Sequence, residues 1–257
     1  MALNVSDIIK FVEEWRSKNG FADDIKLNDN QIATFVADLQ SKVKQMDFSV
    51  PKGTTVIGYS GCSNGNAAWQ IAKEISEIAG DGAVYISDLP AGTLIGKYRD
   101  DLVEALKKVV GNSNVEKIIS GYDSSGNRIP GGSCGFGEGL LSLDDFVSAK
   151  LMGETKGANS NLIVFVPEGV DPTKVFATTE LDRIFANKTF STINGIPKGQ
   201  LQAIYNSGTA GKQALYDILT ATVKEEVGNT STIEGQADAL MKEMVFIGIL
   251  IVNLSTN

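Results

Sequence analysis

No histidine occurs anywhere in the 257 residues. That absence removes catalysis built on a Ser–His or Cys–His pair, zinc held by imidazole, and histidine charge switching near neutral pH. Acid–base chemistry must come from Asp, Glu, Lys, Tyr or Cys. Cysteine is scarce: Cys62 and Cys134 stand far apart, in Ser-Gly-Cys-Ser and Gly-Ser-Cys-Gly surroundings. This spacing matches no metal-ligand pattern, and neither a metal nor a cofactor is expected. Two readings of the pair stay open, free thiols in loops or a disulfide tying those loops together. The formal net charge is −8. An acidic chain favours solubility and lacks the positive surface that non-specific nucleic-acid binding requires. The N-terminus shows no basic run followed by an apolar core, so no signal peptide is read there. The strongest apolar run, residues 244–252, is too short to span a bilayer. A soluble chain without a membrane partner is expected, its compartment left open.

What is present suits a globular protein: 42% of residues are hydrophobic and 21% charged, enough to bury a sizeable core. The stretch from Thr55 to Ile75 organises the rest. A β-rich run, Thr55-Val56-Ile57-Gly58-Tyr59, ends in the small polar loop Ser60-Gly61-Cys62-Ser63-Asn64-Gly65-Asn66. Apolar residues at Ala68, Ile71, Ala72, Ile75 and Ile78 then recur at helical spacing. A strand, a tight turn and a helix are predicted. A helix N-terminus carries unpaired N–H groups and partial positive charge, so such a turn can hold a phosphate or carboxylate. The plain alternative is an ordinary connection with Ser63 or Asn64 as helix cap. The loop has neither Gly-x-x-x-x-Gly-Lys-Ser/Thr nor Gly-x-Gly-x-x-Gly. Gly61-Cys62-Ser63-Asn64-Gly65 does fit Gly-x-Ser-x-Gly, but the triad of that motif needs a histidine.

Before this stretch, Val5, Ile8, Ile9, Val12 and Trp15 form one helical stripe that stops at Asn19-Gly20. Ile32, Phe35, Val36, Leu39, Val43 and Met46 form a second, opened by an Asn28/Gln31 capping pair. Together they predict an N-terminal helical hairpin, most simply laid on the sheet that follows. After it, strands are expected at 82–88, 115–120, 161–166, 189–193 and 244–252. Helices are expected around 102–110, 140–151 and 215–223 and at 233–242, with a helical or mixed segment at 175–185. Alternation of this kind predicts an α/β fold with a mainly parallel sheet and helices on both faces. The simplest division is residues 1–50 as the hairpin packed on the core and 51–257 as the α/β core. Residues 121–139 hold seven glycines and Pro130; a lid over a site and a plain surface insertion both fit.

In a parallel sheet, ligands sit at the carboxyl ends of the strands. Those ends would collect Ser60, Asp88, Tyr122 or Asp123, and Glu168. Glu168 and Asp88 are the candidate catalytic carboxylates, fit to act as a general base or to stabilise an oxocarbenium-like centre. Ser60, Gly61, Ser63, Asn64, Gly65 and Arg128 are the candidate substrate-binding residues. Arg99, Arg128 and Arg183 offer planar forks to phosphate or carboxylate. Taken singly, each charge also fits a solvated surface pair.

Three stretches carry a resemblance: Gly65-Asn66-Ala67-Ala68-Trp69, Val175-Phe176-Ala177-Thr178-Thr179-Glu180-Leu181, and Ser191-Thr192-Ile193-Asn194-Gly195-Ile196-Pro197. They resemble segments of C-terminal toxin domains of bacterial polymorphic toxins. The resemblance implies a delivered effector with a cognate neutralising partner protein, in a group that includes nucleases, deaminases, NAD-glycohydrolases and ADP-ribosyl transferases. The chain lacks the deaminase zinc motif and the Arg…Ser-Thr-Ser…Glu-x-Glu set of a transferase, so no active residue carries over. Three functions remain as expectations. One is a toxin-like enzyme, a hydrolase or transferase of a nucleotide-sugar bond with NAD as substrate. Another is a non-catalytic module for a small anionic ligand or nucleotide. The third is an interaction protein docking through its N-terminal hairpin.

Overall fold

The computed structural model describes residues 2–60, 62–63, 66–120, 142–166, 176–227 and 232–246; side chains at 62, 63, 66, 178, 220–227 and 242–246 fall outside the description. The chain forms two compact units, Met1–Phe48 with Ser87–Leu151, and Ser49–Ile86 with Met152–Asn257. The N-terminal hairpin thus shares its unit with residues 87–151, a grouping unlike the 1–50 and 51–257 division read from sequence.

The first unit is helical. Helices α1 (Val5–Lys18) and α2 (Asp29–Val43) each open on a capping box, Asn4 with Asp7 and Asn28 with Gln31. In each box a side-chain oxygen accepts from the N3 amide while the N3 side chain takes the cap amide. Ile8, Val12 and Trp15 of α1 and Ile32, Phe35 and Leu39 of α2 are buried. The Trp15 ring meets Phe35 edge-on at 5.2 Å and stacks on Phe21 at 5.6 Å. Its indole N–H donates to Asp38 Oδ2 at 2.9 Å, which satisfies its one polar atom. Helix α1 also packs on α4 (Arg99–Val110) of the same unit.

Arg16 is buried among these helices. Its Nη1 donates to the carbonyls of Ala22, Asp23 and Ile25 at 2.8–3.0 Å, and Nε and Nη2 both donate to Val109 O. One planar fork therefore pins the α1–α2 connection to the last turn of α4. Buried carbonyls need donors, and a guanidinium supplies several in fixed geometry.

Residues 115–120 are not a strand. Helix α5 (Asn112–Ile119) follows α4 directly, with Val115, Ile118 and Ile119 buried. Those three stand at i, i+3 and i+4, a helical period that a short apolar run conceals when read as a strand. Helix α6 (Leu143–Glu154) carries the chain from the first unit into the second.

The second unit is built on a five-stranded sheet of order β4-β1-β5-β6-β7. Strand β1 (Thr55–Tyr59) pairs in parallel with β4 (Ala83–Tyr85) on one edge and with β5 (Asn161–Phe165) on the other. β5 pairs in parallel with β6 (Thr192–Ile193), which turns back antiparallel into β7 (Ile196–Pro197). Leu162 to Phe165 are all buried, as suits a strand covered on both faces. The β6–β7 loop is Asn194-Gly195, both at positive φ (50° and 76°), the two-residue turn that Asn-Gly favours. The Asn194 amide accepts from Val164 N at 2.8 Å and donates to Val164 O at 3.0 Å, so it prolongs the β5 ladder beyond β6. Around the sheet lie α3 (Ala68–Ala79), α7 (Leu181–Ala186), α8 (Lys198–Tyr205), α9 (Thr209–Val227) and α10 (Ile233–Phe246). The architecture is α/β with a mostly parallel sheet and an N-terminal helical pair, as the alternation of elements predicts.

The expected last strand begins inside a helix, since α10 runs through Phe246; residues 247–252 lie outside the described residues. Met244, Val245 and Phe246 continue the α10 backbone, and an apolar run by itself does not distinguish buried helix from strand. Among the described residues no helix is long and apolar enough to cross a membrane.

The Arg16 contacts generate a prediction. Arg16→Met should lower unfolding free energy by roughly 2–4 kcal/mol, because carbonyls inside the unit lose a charged donor. Arg16→Lys should recover only part, since an ammonium cannot span both sets of carbonyls. Chemical denaturation of the three proteins measures this; equal midpoints would refute the anchoring role.

Candidate functional site

Strand β1 has parallel partners on both edges, and this fixes where the chain must divide. From β1 the chain passes through α3 to β4 on one side. It later returns as β5 on the other side of β1, and from β5 it moves outward through α7 to β6. Connections leaving the carboxyl ends of β1 and β5 thus go opposite ways. Such a reversal opens a crevice outside the carboxyl ends of the two strands, where open α/β sheets place ligands.

Ser60 stands at this point. It is half-buried, and its N–H donates to Phe165 O at 2.9 Å, closing the two strand ends together. The next residues are not a simple tight turn. Strands β2 (Cys62–Ser63) and β3 (Asn66–Ala67) pair antiparallel, Cys62 with Ala67 and Ser63 with Asn66. Helix α3 begins immediately after this small hairpin. Its N-cap is Ala67, in extended conformation, with no side-chain hydrogen bond to the first turn and no acidic residue in that turn. The expectation that Ser63 or Asn64 caps the helix is therefore corrected: β2–β3 pairing holds Ser63 away from the cap position, and the helix starts later. Ala67 has no polar side chain with which to cap the helix start.

At the carboxyl ends of β1 and β4 the rings of Tyr59 and Tyr85 meet at 5.6 Å. Trp69, in the first turn of α3, is 44% exposed. Behind it, Ala68, Ile71, Ala72 and Ile75 are fully buried and seat the helix against β1, β4 and α10.

The other sequence candidates fall variously. Gly61, Asn64, Gly65, Tyr122, Asp123, Arg128 and Glu168 lie outside the described residues, as do residues 121–139 and Cys134. Asp88 is exposed and ends a 3-10 turn, Ile86–Asp88; it belongs to the first unit, whereas Ser60 belongs to the second. β4 stops at Tyr85, so Asp88 does not sit on its strand end. Arg183 is exposed on α7. Arg99 is engaged with a carboxylate that the sequence reading passed over, Asp144.

Asp144 lies in the first turn of α6, where Ser142 Oγ accepts from Asp145 N at 3.1 Å as a cap. A Ser-x-x-Asp spacing before an apolar helix is the readable signal for this element. Arg99 Nη1 donates to Asp144 Oδ2 at 2.6 Å, while the enclosed Oδ1 finds no partner. Burial pushes the Asp144 carboxyl up to about 6, against the pull of Arg99, and the carboxylates of Asp145 and Glu116 push the same way. The side chain as a whole keeps 29% of its surface exposed, so the enclosed Oδ1 is the part that suffers desolvation.

In the second unit, Glu180 is buried at the end of a π turn, Phe176–Glu180, that leads into α7. Tyr205 Oη donates to Ala177 O at 3.2 Å beneath this turn, and Phe176 contacts the Tyr216 ring at 6.4 Å. The Tyr216 hydroxyl is enclosed without a partner, and burial drives its pKa upward, so it stays protonated. Burial lowers the Lys198 pKa, and its Nζ donates to Asn187 O at 2.5 Å. Among the described residues no cluster of three or more acidic or thiol side chains could hold a metal ion.

Comparison with protein families, with curated proteins and with solved structures finds no match to the chain.

The Asp144 shift fixes the sign of a pH effect. A carboxyl whose folded pKa is raised binds its proton more tightly in the folded state. Its contribution to stability is fully present below about 4 and is lost as pH rises through about 6. Asp144→Asn should therefore gain stability relative to the parent as pH rises across this window. Thermal melts at half-unit pH steps measure the difference; a difference that stays constant from pH 4 to pH 7 would remove Asp144 as its source.

Proposed function

We propose that the second unit binds a small phosphate-bearing ligand in the crevice at the carboxyl ends of β1 and β5. The observation that carries this reading is that the connections leaving these two neighbouring parallel strands lead to opposite sides of the sheet. The start of α3, which follows β1 in the chain, supports it, because helical N–H groups and the helix dipole both favour an anion there. The ligand class is a small anion or nucleotide, and net acidity leaves extended nucleic acid disfavoured.

The enzymatic form of this proposal is a toxin-like effector that cleaves or transfers a nucleotide-sugar bond, with NAD as the first substrate to try. It draws on the resemblance of residues 65–69, 175–181 and 191–197 to toxin domains, which also brings in a neutralising partner protein. Glu168 follows the end of β5 closely in the chain. A carboxylate there would serve as general base or would stabilise an oxocarbenium-like centre.

Location and chemistry are tested separately. Ala67→Asp places a capping carboxylate at the α3 entrance. It should stabilise the fold by about 1 kcal/mol while weakening phosphate-ligand binding tenfold or more. A ligand found in a crystal at the amino ends of the strands, or unaltered affinity in the capped variant, would overturn the location. For chemistry, the chain is incubated with a nucleotide panel including NAD, and products are separated. Glu168→Gln should cut turnover by roughly a hundredfold or more without moving the melting temperature. Full turnover in that variant would take Glu168 out of the mechanism.

A further inference from the structure

The start of α6 places a carboxylate among apolar neighbours. Leu143 and Val147 are fully buried and Phe146 nearly so. Seating these side chains carries Asp144, which lies between them in the chain, inward as well. Its Oδ2 receives Arg99 Nη1, from the first residue of α4, at 2.6 Å, so one contact joins the starts of two helices. The other oxygen, Oδ1, is enclosed and meets no donor. A two-pronged guanidinium contact satisfies both oxygens of a carboxylate; here Arg99 meets one.

The surrounding charges do not make up the difference. Arg99 is the cation that faces Asp144, while Asp145 on α6 and Glu116 on α5 repel its negative form. A helix start ordinarily favours an ionised acidic residue. Burial outweighs both that preference and the pull of Arg99, and pushes the carboxyl up to about 6. A proton on Oδ1 leaves Oδ2 as an acceptor for Arg99, so the neutral side chain keeps the tie between the helices. The ionised one keeps it only with a charged oxygen shut away from water.

We propose that the start of α6 is a proton-operated latch, closed against Arg99 of α4 while Asp144 is neutral and opening locally to hydrate the carboxylate once it is ionised. Arg99 and Glu116 set the pH at which it lets go. All these residues belong to the first unit, so the latch is independent of the crevice. The stability lost on ionisation of Asp144 is released through one helical turn, in the helix by which the chain leaves this unit. Opening should grow as pH rises from about 4 through about 6 and level off above that.

Amide hydrogen exchange of the whole chain, followed by NMR and divided by the intrinsic rate at each pH, reads this opening. The reporter is Phe146 N–H, which donates to Ser142 O at 2.9 Å. Val36, buried in α2 of the same unit, is the reference. Protection at Phe146 should fall about tenfold or more between pH 4 and pH 7. At pH 7 it should be weaker than at Val36 and insensitive to low concentrations of urea, the mark of a local opening. Asp144→Asn should hold Phe146 protection level across the range. Arg99→Gln should move the fall to higher pH and Glu116→Gln to lower pH. Level protection in the parent overturns the latch, as does a fall that survives in Asp144→Asn. Equal protection and equal urea dependence at Phe146 and Val36 also overturn it, because ionisation then acts on the unit as a whole. Circular dichroism checks that the variants fold; should Asp144→Asn not fold, Glu116→Gln decides, since Glu116 is exposed, and an unmoved midpoint there refutes the proposal.

Discussion

The second unit depends on the parallel pairing of β1 along both of its edges. Val56 and Ile57 are paired on one side to Val84 and Tyr85 and on the other to Leu162 and Ile163. Parallel neighbours cannot be joined by a short hairpin, so each pairing needs a long crossover. One crossover is α3; the other must bridge from β4 to β5, more than seventy residues away in sequence. That second crossover is where the first unit's segment Ser87–Leu151 is inserted. The switch in connection sense and the two-unit division thus have one origin. A central strand with parallel partners on both sides sends its connections to opposite sides of the sheet and makes the chain travel far before it returns.

The first unit answers a different demand. Its polypeptide comes in two pieces, Met1–Phe48 and Ser87–Leu151, which no local turn can hold together. Hydrophobic contact between α1 and α4 supplies attraction without direction. Arg16 supplies direction: it satisfies Val109 O from the later piece and Ala22, Asp23 and Ile25 carbonyls from the earlier one. The residue carries charge but meets only backbone oxygens in these bonds, so its work is geometric.

Elements whose signal is local were readable in the sequence. The Asn28/Gln31 cap and the Ile32–Leu39 stripe both use contacts within four residues, and β1 and β5 announce themselves by branched apolar runs. Failures came where a short run admits two periods. Val115, Ile118 and Ile119 fit a strand by composition but a helix by spacing. The apolar end of the chain behaved alike, with Met244–Phe246 continuing α10. For the crevice, the sequence located Ser60 correctly at a strand end, because strand and turn are adjacent. It missed the β2–β3 hairpin, since two-residue strands leave no periodicity. The Arg99–Asp144 pair joins residues from two helices, and no spacing rule connects them.

Asn194 has a chemical future as well as a structural role. An asparagine followed by glycine is the sequence most prone to spontaneous loss of its side-chain ammonia, because Gly195 leaves the path to the cyclic intermediate unobstructed. Here that amide is not idle: its nitrogen donates to Val164 O and its oxygen accepts from Val164 N. Conversion to a carboxylate would keep the second bond and turn the first into a meeting of two acceptors. The carboxyl end of β5 would then carry the damage. A protein ageing at this residue would lose sheet continuity first where the β6–β7 turn meets β5.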